Sequence, residues 1–139
     1  MKRRILIVDD EPSIAKILRK QLEVAGYDVN VAVDGLDGLT KAQASLPELL
    51  VLDVMLPKMG GYEVCSTLKK DPKTQHIPIL MLTAKAQRQD QEVGLQAGAN
   101  AFLTKPFQLE ELLEKARALL GPDPAPPANP VTDGTPASS

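Results

Sequence analysis

The sequence is poor in the residues that most often announce a chemistry. It holds one cysteine, Cys65, and one histidine, His76, in 139 residues. A single cysteine cannot close an internal disulfide, and neither residue has a partner at metal-ligand spacing, so a zinc site is disfavoured. Long apolar runs are missing as well. Met1-Lys2-Arg3-Arg4 leads into only four apolar residues, Ile5 to Val8, before Asp9 and Asp10. That is too short for a signal peptide or a membrane span, and a cytoplasmic, reducing location is the expectation. An excess of one charge is lacking too: 16 Lys+Arg against 18 Asp+Glu give a formal −2, far from the positive balance of a nucleic-acid binder. Finally, no GxxxxGK[S/T] loop is present to cradle a nucleotide, and no DxDxDG loop to hold calcium.

What is present is a core. Hydrophobic residues make up 43% of the chain, enough for one domain of this length. Their distribution changes at Gly121. Pro122, Pro124, Pro126, Pro127, Pro130 and Pro136 follow it, and Val131 is the one large apolar side chain there. Such a stretch cannot bury enough surface to offset its ordering entropy. A folded domain over 1–120 and a flexible, Pro-rich tail over 121–139 are expected. Asp123 and Asp133 lie in that tail, so the domain balances its charges and the net −2 belongs to the tail.

Strand and helix patterns alternate through the domain. Ile5 to Val8, Leu49 to Leu52 and Ile79 to Leu82 are continuous apolar runs of the kind found in parallel strands buried on both faces. Val29, Val31 and Val33 alternate with polar or small residues, as in an edge strand. Ala99 to Leu103 supplies a fifth strand. Helical spacing links Ile14, Ile17, Leu18 and Leu22, with Pro12 suited to the first turn and Gly26 to the end. Leu36, Leu39 and Ala42 form a second stripe after Asp34-Gly35, and a third helix follows Gly60-Gly61. The fourth, between Gln87 and Ala97, is the weakest, and the fifth carries Leu109, Leu112, Leu113, Ala116, Leu119 and Leu120. Five βα units imply an α/β fold, a doubly wound five-stranded parallel sheet with helices on both faces.

Ligands of such sheets bind outside the carboxyl ends of the strands. Asp9, Asp10, Asp53, Thr83 and Lys105 all fall at or just past such an end. Each has a plain structural alternative: Asp10 and Thr83 as helix caps, Asp53 as a turn residue, Lys105 as a solvated loop lysine. Their convergence is harder to dismiss. Strands lie about 4.8 Å apart, so three carboxylates would share one crevice and repel unless a cation is present. Mg²⁺ suits them, since it takes one or two carboxylates and keeps sites for water and phosphate oxygens. Asp53 beside Mg²⁺, Lys105 and Thr83 is equipped to accept a phosphoryl group as a nucleophile.

These residues resemble the receiver domain of bacterial two-component response regulators, the family that includes the chemotaxis receiver. The resemblance covers 3 to 120. It rests on Ile-Leu-Ile-Val-Asp9-Asp10-Glu11-Pro12, Leu-Val-Leu-Asp53-Val-Met-Leu-Pro57-Lys-Met-Gly60-Gly61, Met-Leu-Thr83-Ala84 and Phe102-Leu-Thr-Lys105-Pro106-Phe107. It implies the flavodoxin-like strand order 2-1-3-4-5 and a phosphoacceptor at Asp53. It also implies Mg²⁺ held by Asp10, Asp53 and the Met55 carbonyl, with Asp9 acting mainly through water. Thr83 and Ala84 would line the phosphate, Thr83 and Phe102 would be the switch pair, and the Lys105-Pro106 peptide would be cis.

The implied partners are a sensor histidine kinase or phosphotransfer protein as donor, and a downstream protein docked on the face of the fourth helix, fifth strand and fifth helix. No direct nucleic-acid or membrane contact is expected. Many DNA-binding members carry two acidic residues before the switch aromatic; here Asn100 and Ala101 stand there, so a monomer or a weak phosphorylation-dependent dimer is expected. Met55, Ala84 and Lys85 occupy the family's phosphate-lifetime positions and suggest slow loss of phosphate. A stand-alone signalling receiver, not an enzyme beyond its own phosphorylation and dephosphorylation, is the leading expectation. The alternatives are the receiver part of a DNA-binding regulator and an Asp-nucleophile phosphohydrolase.

Overall fold

The apolar runs become the strands. A computed structural model describes residues 3–56, 58–83 and 97–121. In chain order the elements are β1 (Arg4–Val8), α1 (Pro12–Val24), β2 (Asp28–Ala32), α2 (Gly35–Ser45), β3 (Leu49–Asp53), α3 (Gly61–Lys70), β4 (Ile79–Thr83), β5 (Ala101–Thr104) and α4 (Leu109–Leu120). All pairings are parallel, and the sheet order is β2-β1-β3-β4-β5. This is the doubly wound α/β sheet expected from the alternation. Nearly all of the weak fourth helix lies outside the described residues.

Period-two alternation sends the buried strands' side chains to opposite faces. Leu6, Val8, Leu50, Leu52, Ile79 and Met81 pack with Ala42 of α2 and with Val64, Cys65 and Leu68 of α3. Ile5, Ile7, Leu49, Val51, Leu80 and Leu82 pack with Leu18 and Leu22 of α1 and with Leu112 and Ala116 of α4. Each fully buried Leu or Ile contributes about 1.5–3 kcal/mol of transfer free energy, so the strands carry much of the hydrophobic stabilisation.

Helix ends follow their sequence signals. Pro12 opens α1, Gly26 takes φ +105 just beyond it, and Asp34 caps α2 by accepting the Asp37 N–H at 2.7 Å. At α4 the Glu111 carboxylate accepts the Gln108 N–H at 2.9 Å.

The inner faces of α1 and α2 differ from expectation. In α1 the buried residues are Ala15, Leu18 and Leu22, while Ile14 and Ile17 are 37% and 56% exposed. Both isoleucines lie on the flank of the stripe, and small Ala15 takes the inner position. Leu36 is likewise exposed, with Ala42 and two glycines of α2 turned inward. The edge strand β2 stops at Ala32, leaving Val33 exposed beyond it.

Candidate functional site at the carboxyl edge of the sheet

Register brings the polar residues together. Val8 pairs with Leu52, Asp53 with Leu82 and Thr83 with Thr104. Backbone bonds continue past the strand ends: Asp9 N–H donates to Ala32 O at 3.1 Å, and Lys105 N–H to Thr83 O at 2.7 Å. Asp9, Asp53, Thr83 and Lys105 therefore stand in one row. Asp10 is exposed beside it.

Asp53 is buried, with two distinct contacts. Its Oδ2 receives Lys105 Nζ at 2.9 Å, and its Oδ1 accepts the Met55 N–H at 3.2 Å. It thus satisfies a turn, as the plain reading held, and also anchors the lysine. Asp9, 1% exposed, accepts the Glu11 N–H on Oδ1 at 2.9 Å. Its buried Oδ2 has no hydrogen-bond partner among the described residues and lies 3.9 Å from Lys105 Nζ. Burial pushes the Asp9 carboxyl above its ordinary range, and the charges of Asp53 and Asp10 push it further; the Glu11 N–H and Lys105 oppose this without cancelling it.

Oxygen atoms of Asp9, Asp10 and Asp53 all lie within 4.8 Å of one another. Lys105 supplies one positive charge against three carboxylates. An orphaned buried oxygen in a set of hard donors fits a divalent cation such as Mg²⁺. Thr83 is buried at the end of β4, and half-buried Phe102 packs against the α2–α3 core. The Lys105-Pro106 peptide is cis. Ala84 and Lys85 lie outside the described residues.

The alternatives set against these residues fare unevenly. Glu11, not Asp10, is the N-cap of α1, and it makes no side-chain cap bond. Lys105 is a quarter exposed and ion-paired, unlike a solvated loop lysine. The Cys65 thiol donates to the Ala97 carbonyl at 3.4 Å from inside the core, while His76 is exposed elsewhere, so the two do not form a zinc site. Asn100 ties the start of β5 to β4, its side-chain oxygen accepting the Ile79 N–H at 2.9 Å and its own N–H donating to Ile79 O at 2.9 Å. Sequence reasoning passes over Asp34 and Lys58, whose side chains meet at 3.6 Å behind the Met55 loop. No local pattern links residues so far apart in the chain.

A parallel five-stranded sheet with an acidic row and one lysine at its carboxyl edge defines the class, and sequence comparison agrees. The model of the response regulator receiver domain matches residues 5–117. The chain belongs to that family, the receivers of two-component systems. The DNA-binding dual master transcriptional regulator RpaA of Synechocystis is 51% identical over 117 residues, covering 84% of this chain and 48% of that protein. The alkaline phosphatase synthesis transcriptional regulatory protein PhoP of Bacillus subtilis is 48% identical over 120 residues, covering 86% and 49%. The chain thus spans about half the length of these curated relatives.

Among solved structures, the chemotaxis response regulator CheY4 of Vibrio cholerae superposes with a TM-score of 0.82 at 34% identity, covering 86% of this chain and 99% of that one. The receiver domain of the sensor histidine kinase PA1611 from Pseudomonas aeruginosa gives 0.81 at 30% identity, covering 88% and 100%; that structure has a magnesium ion in its active-site cleft.

Proposed function

We propose that Asp53 is the phosphoacceptor of this receiver and that the donor is a phosphohistidine on a sensor kinase or phosphotransfer protein. The observation that carries the reading is the pairing of Lys105 Nζ with Asp53 Oδ2 at 2.9 Å beside the unsatisfied Asp9 Oδ2. A carboxylate oxygen of Asp53 forms the bond to phosphorus as the phosphorus–nitrogen bond of the donor breaks, and the electron pair leaves on the imidazole nitrogen. Bound Mg²⁺ would neutralise charge on the transferring oxygens. Asp10, Asp53 and the Met55 carbonyl would hold it, with Asp9 acting mainly through water.

The chain's own groups do the rest. Lys105 trades Asp53 for a phosphoryl oxygen, and Thr83 donates its hydroxyl to the same group. These bonds exist only in the modified state, so they shift the population toward a second arrangement of Thr83 and Phe102. The surface altered is that of β5 and α4, where a downstream protein docks; nearly all of the helix expected beside them lies outside the described residues. We assign the chain to the cytoplasm; among the described residues no helix is long and apolar enough to cross a membrane.

Incubation with a small phosphodonor and Mg²⁺, followed by intact-mass measurement, tests the reading. One added phosphate is expected in the wild type and none in Asp53→Asn; a gain that survives the substitution overturns it. Many turnovers on a generic phosphate ester would instead point to a phosphohydrolase.

A second reading has an observation of its own. RpaA is a DNA-binding transcriptional regulator, and this chain matches only about half of it. A receiver joined to a DNA-binding output domain predicts an open reading frame that continues past Ser139; a stop codon there supports the stand-alone receiver.

A further inference from the structure

The loop between β3 and α3 carries Met55, and two glycines grip it from outside the acidic row. At its end Gly61 opens α3 so close to the chain that a Cβ there would lie 2.3 Å from the Asp53 carbonyl oxygen. On its outer side the Met59 carbonyl rests on Gly35, the first residue of α2. A Cβ at Gly35 would lie 1.7 Å from the Met59 oxygen and 2.6 Å from its carbonyl carbon. All three values are far inside van der Waals contact at about 3.5 Å. Neither glycine has positive φ, so close approach rather than backbone freedom explains them.

The corner beneath Met59 is itself firmly tied. Asp34 Oδ1 accepts the Asp37 N–H at 2.7 Å, and Asp37 Oδ2 accepts the Val33 N–H at 3.1 Å. Lys41 pairs with Asp37 at 3.4 Å and donates to the Val31 carbonyl at 2.8 Å. The second oxygen of buried Asp34 then meets Lys58 Nζ at 3.6 Å. Lys58 has φ +68, a left-handed conformation uncommon for a residue with a Cβ and held by its surroundings.

We propose that Gly35 and the Asp34–Lys58 pair form a clamp that positions the Met55 loop and thereby sets the affinity of the acidic site for Mg²⁺. The inference rests on the reading of the Met55 carbonyl as a metal ligand. None of the three belongs to the cluster of Asp9, Asp10 and Asp53; they are positioning residues. Met55 is 75% exposed and contributes little packing of its own, so its place depends on what holds the loop. A loop held in its liganding geometry before the cation arrives spends less of the binding energy on ordering.

The test uses two measurements on the full chain: amide hydrogen exchange at Val54 and Met55 in EDTA, and Mg²⁺ affinity by titration calorimetry. Gly35→Ala forces the Met59 carbonyl away; faster loop exchange and an affinity weaker by about ten-fold are expected. Asp34→Asn keeps the oxygen that caps α2 and removes the charge facing Lys58, and a weakening of about two- to three-fold is expected. Lys58→Ala separates the clamp from simple electrostatics. Removing a positive charge near the site would by itself tighten a cation, whereas loss of the clamp weakens it by the same two- to three-fold. Lys58→Arg should restore the wild-type value.

Tighter Mg²⁺ binding in Lys58→Ala, or unchanged loop exchange in both Asp34→Asn and Lys58→Ala, overturns the proposal, and these exposed or cap-preserving changes leave the fold intact if Gly35→Ala does not. A wild-type chain that binds no Mg²⁺ overturns the metal reading of the site; loop exchange in EDTA still decides whether the clamp exists.

Discussion

Lys105 Nζ and Asp53 Oδ2 stand 2.9 Å apart, bringing together side chains 52 positions distant in the sequence. The pair closes one side of the acidic row and leaves Asp9 Oδ2 without a hydrogen bond among the described residues.

Removing the lysine leaves Asp9 and Asp53 without the cation they pair with. Lys105→Ala is expected to lower stability in EDTA by about 1–2 kcal/mol, less than for a fully buried pair because the lysine is a quarter exposed. Mg²⁺ should then raise the melting temperature of the variant by more than that of the wild type. Equal shifts in thermal melts with and without Mg²⁺ would contradict this account.

Mg²⁺ itself is expected to stabilise the wild type by linkage, by about 2.7 kcal/mol at a hundred times its dissociation constant. EDTA should reverse the effect. Asp10→Asn should reduce it sharply, as measured by urea unfolding at fixed Mg²⁺.

Asp9 has a definite pH signature. Its folded carboxyl titrates above the ordinary value of 3.8 because burial disfavours the charge. The native state therefore binds more protons than the unfolded state between those two values, and stability falls as pH rises through that window. Asp9→Asn keeps the oxygen that accepts the Glu11 N–H and removes the charge. In EDTA it should be more stable than wild type at pH 7, with the gap narrowing as pH approaches 4. Urea titrations across that range check the sign.

Cys65 should be inert while the fold holds. Burial raises its thiol to about 11, so at pH 7 about one molecule in ten thousand carries a thiolate, even before access is considered. Alkylation should be at least about a hundred-fold slower in buffer than in 8 M urea. Comparable rates, read by mass, would place the thiol at the surface.

Much of the fold can be read from β1, β3 and β4, whose continuous apolar runs have few alternatives, and from the polar residue after each. Side-chain choice within the helices is less legible. Helical spacing marks Ile14 and Ile17 as apolar but does not fix the angle at which α1 meets the sheet; Ala15 occupies the contact and both isoleucines stand partly exposed on its flank. In the site, Asp9, Asp53 and Lys105 follow from strand ends, because parallel register carries neighbouring ends to one level. The Gly35–Met59 contact does not, since a close approach of backbone to backbone across 24 positions leaves no periodic trace.

The two-sided packing of the sheet has a consequence for how substitutions combine. Leu52 and Leu49 lie in one strand yet belong to different cores, one shared with α2 and α3 and the other with α1 and α4. Losses on opposite sides should add to within about 0.5 kcal/mol, while neighbours on one side, such as Leu52 and Met81, should couple. The interior therefore tolerates change as two separate compartments, and a void opened in one is filled only by a larger residue from the same compartment.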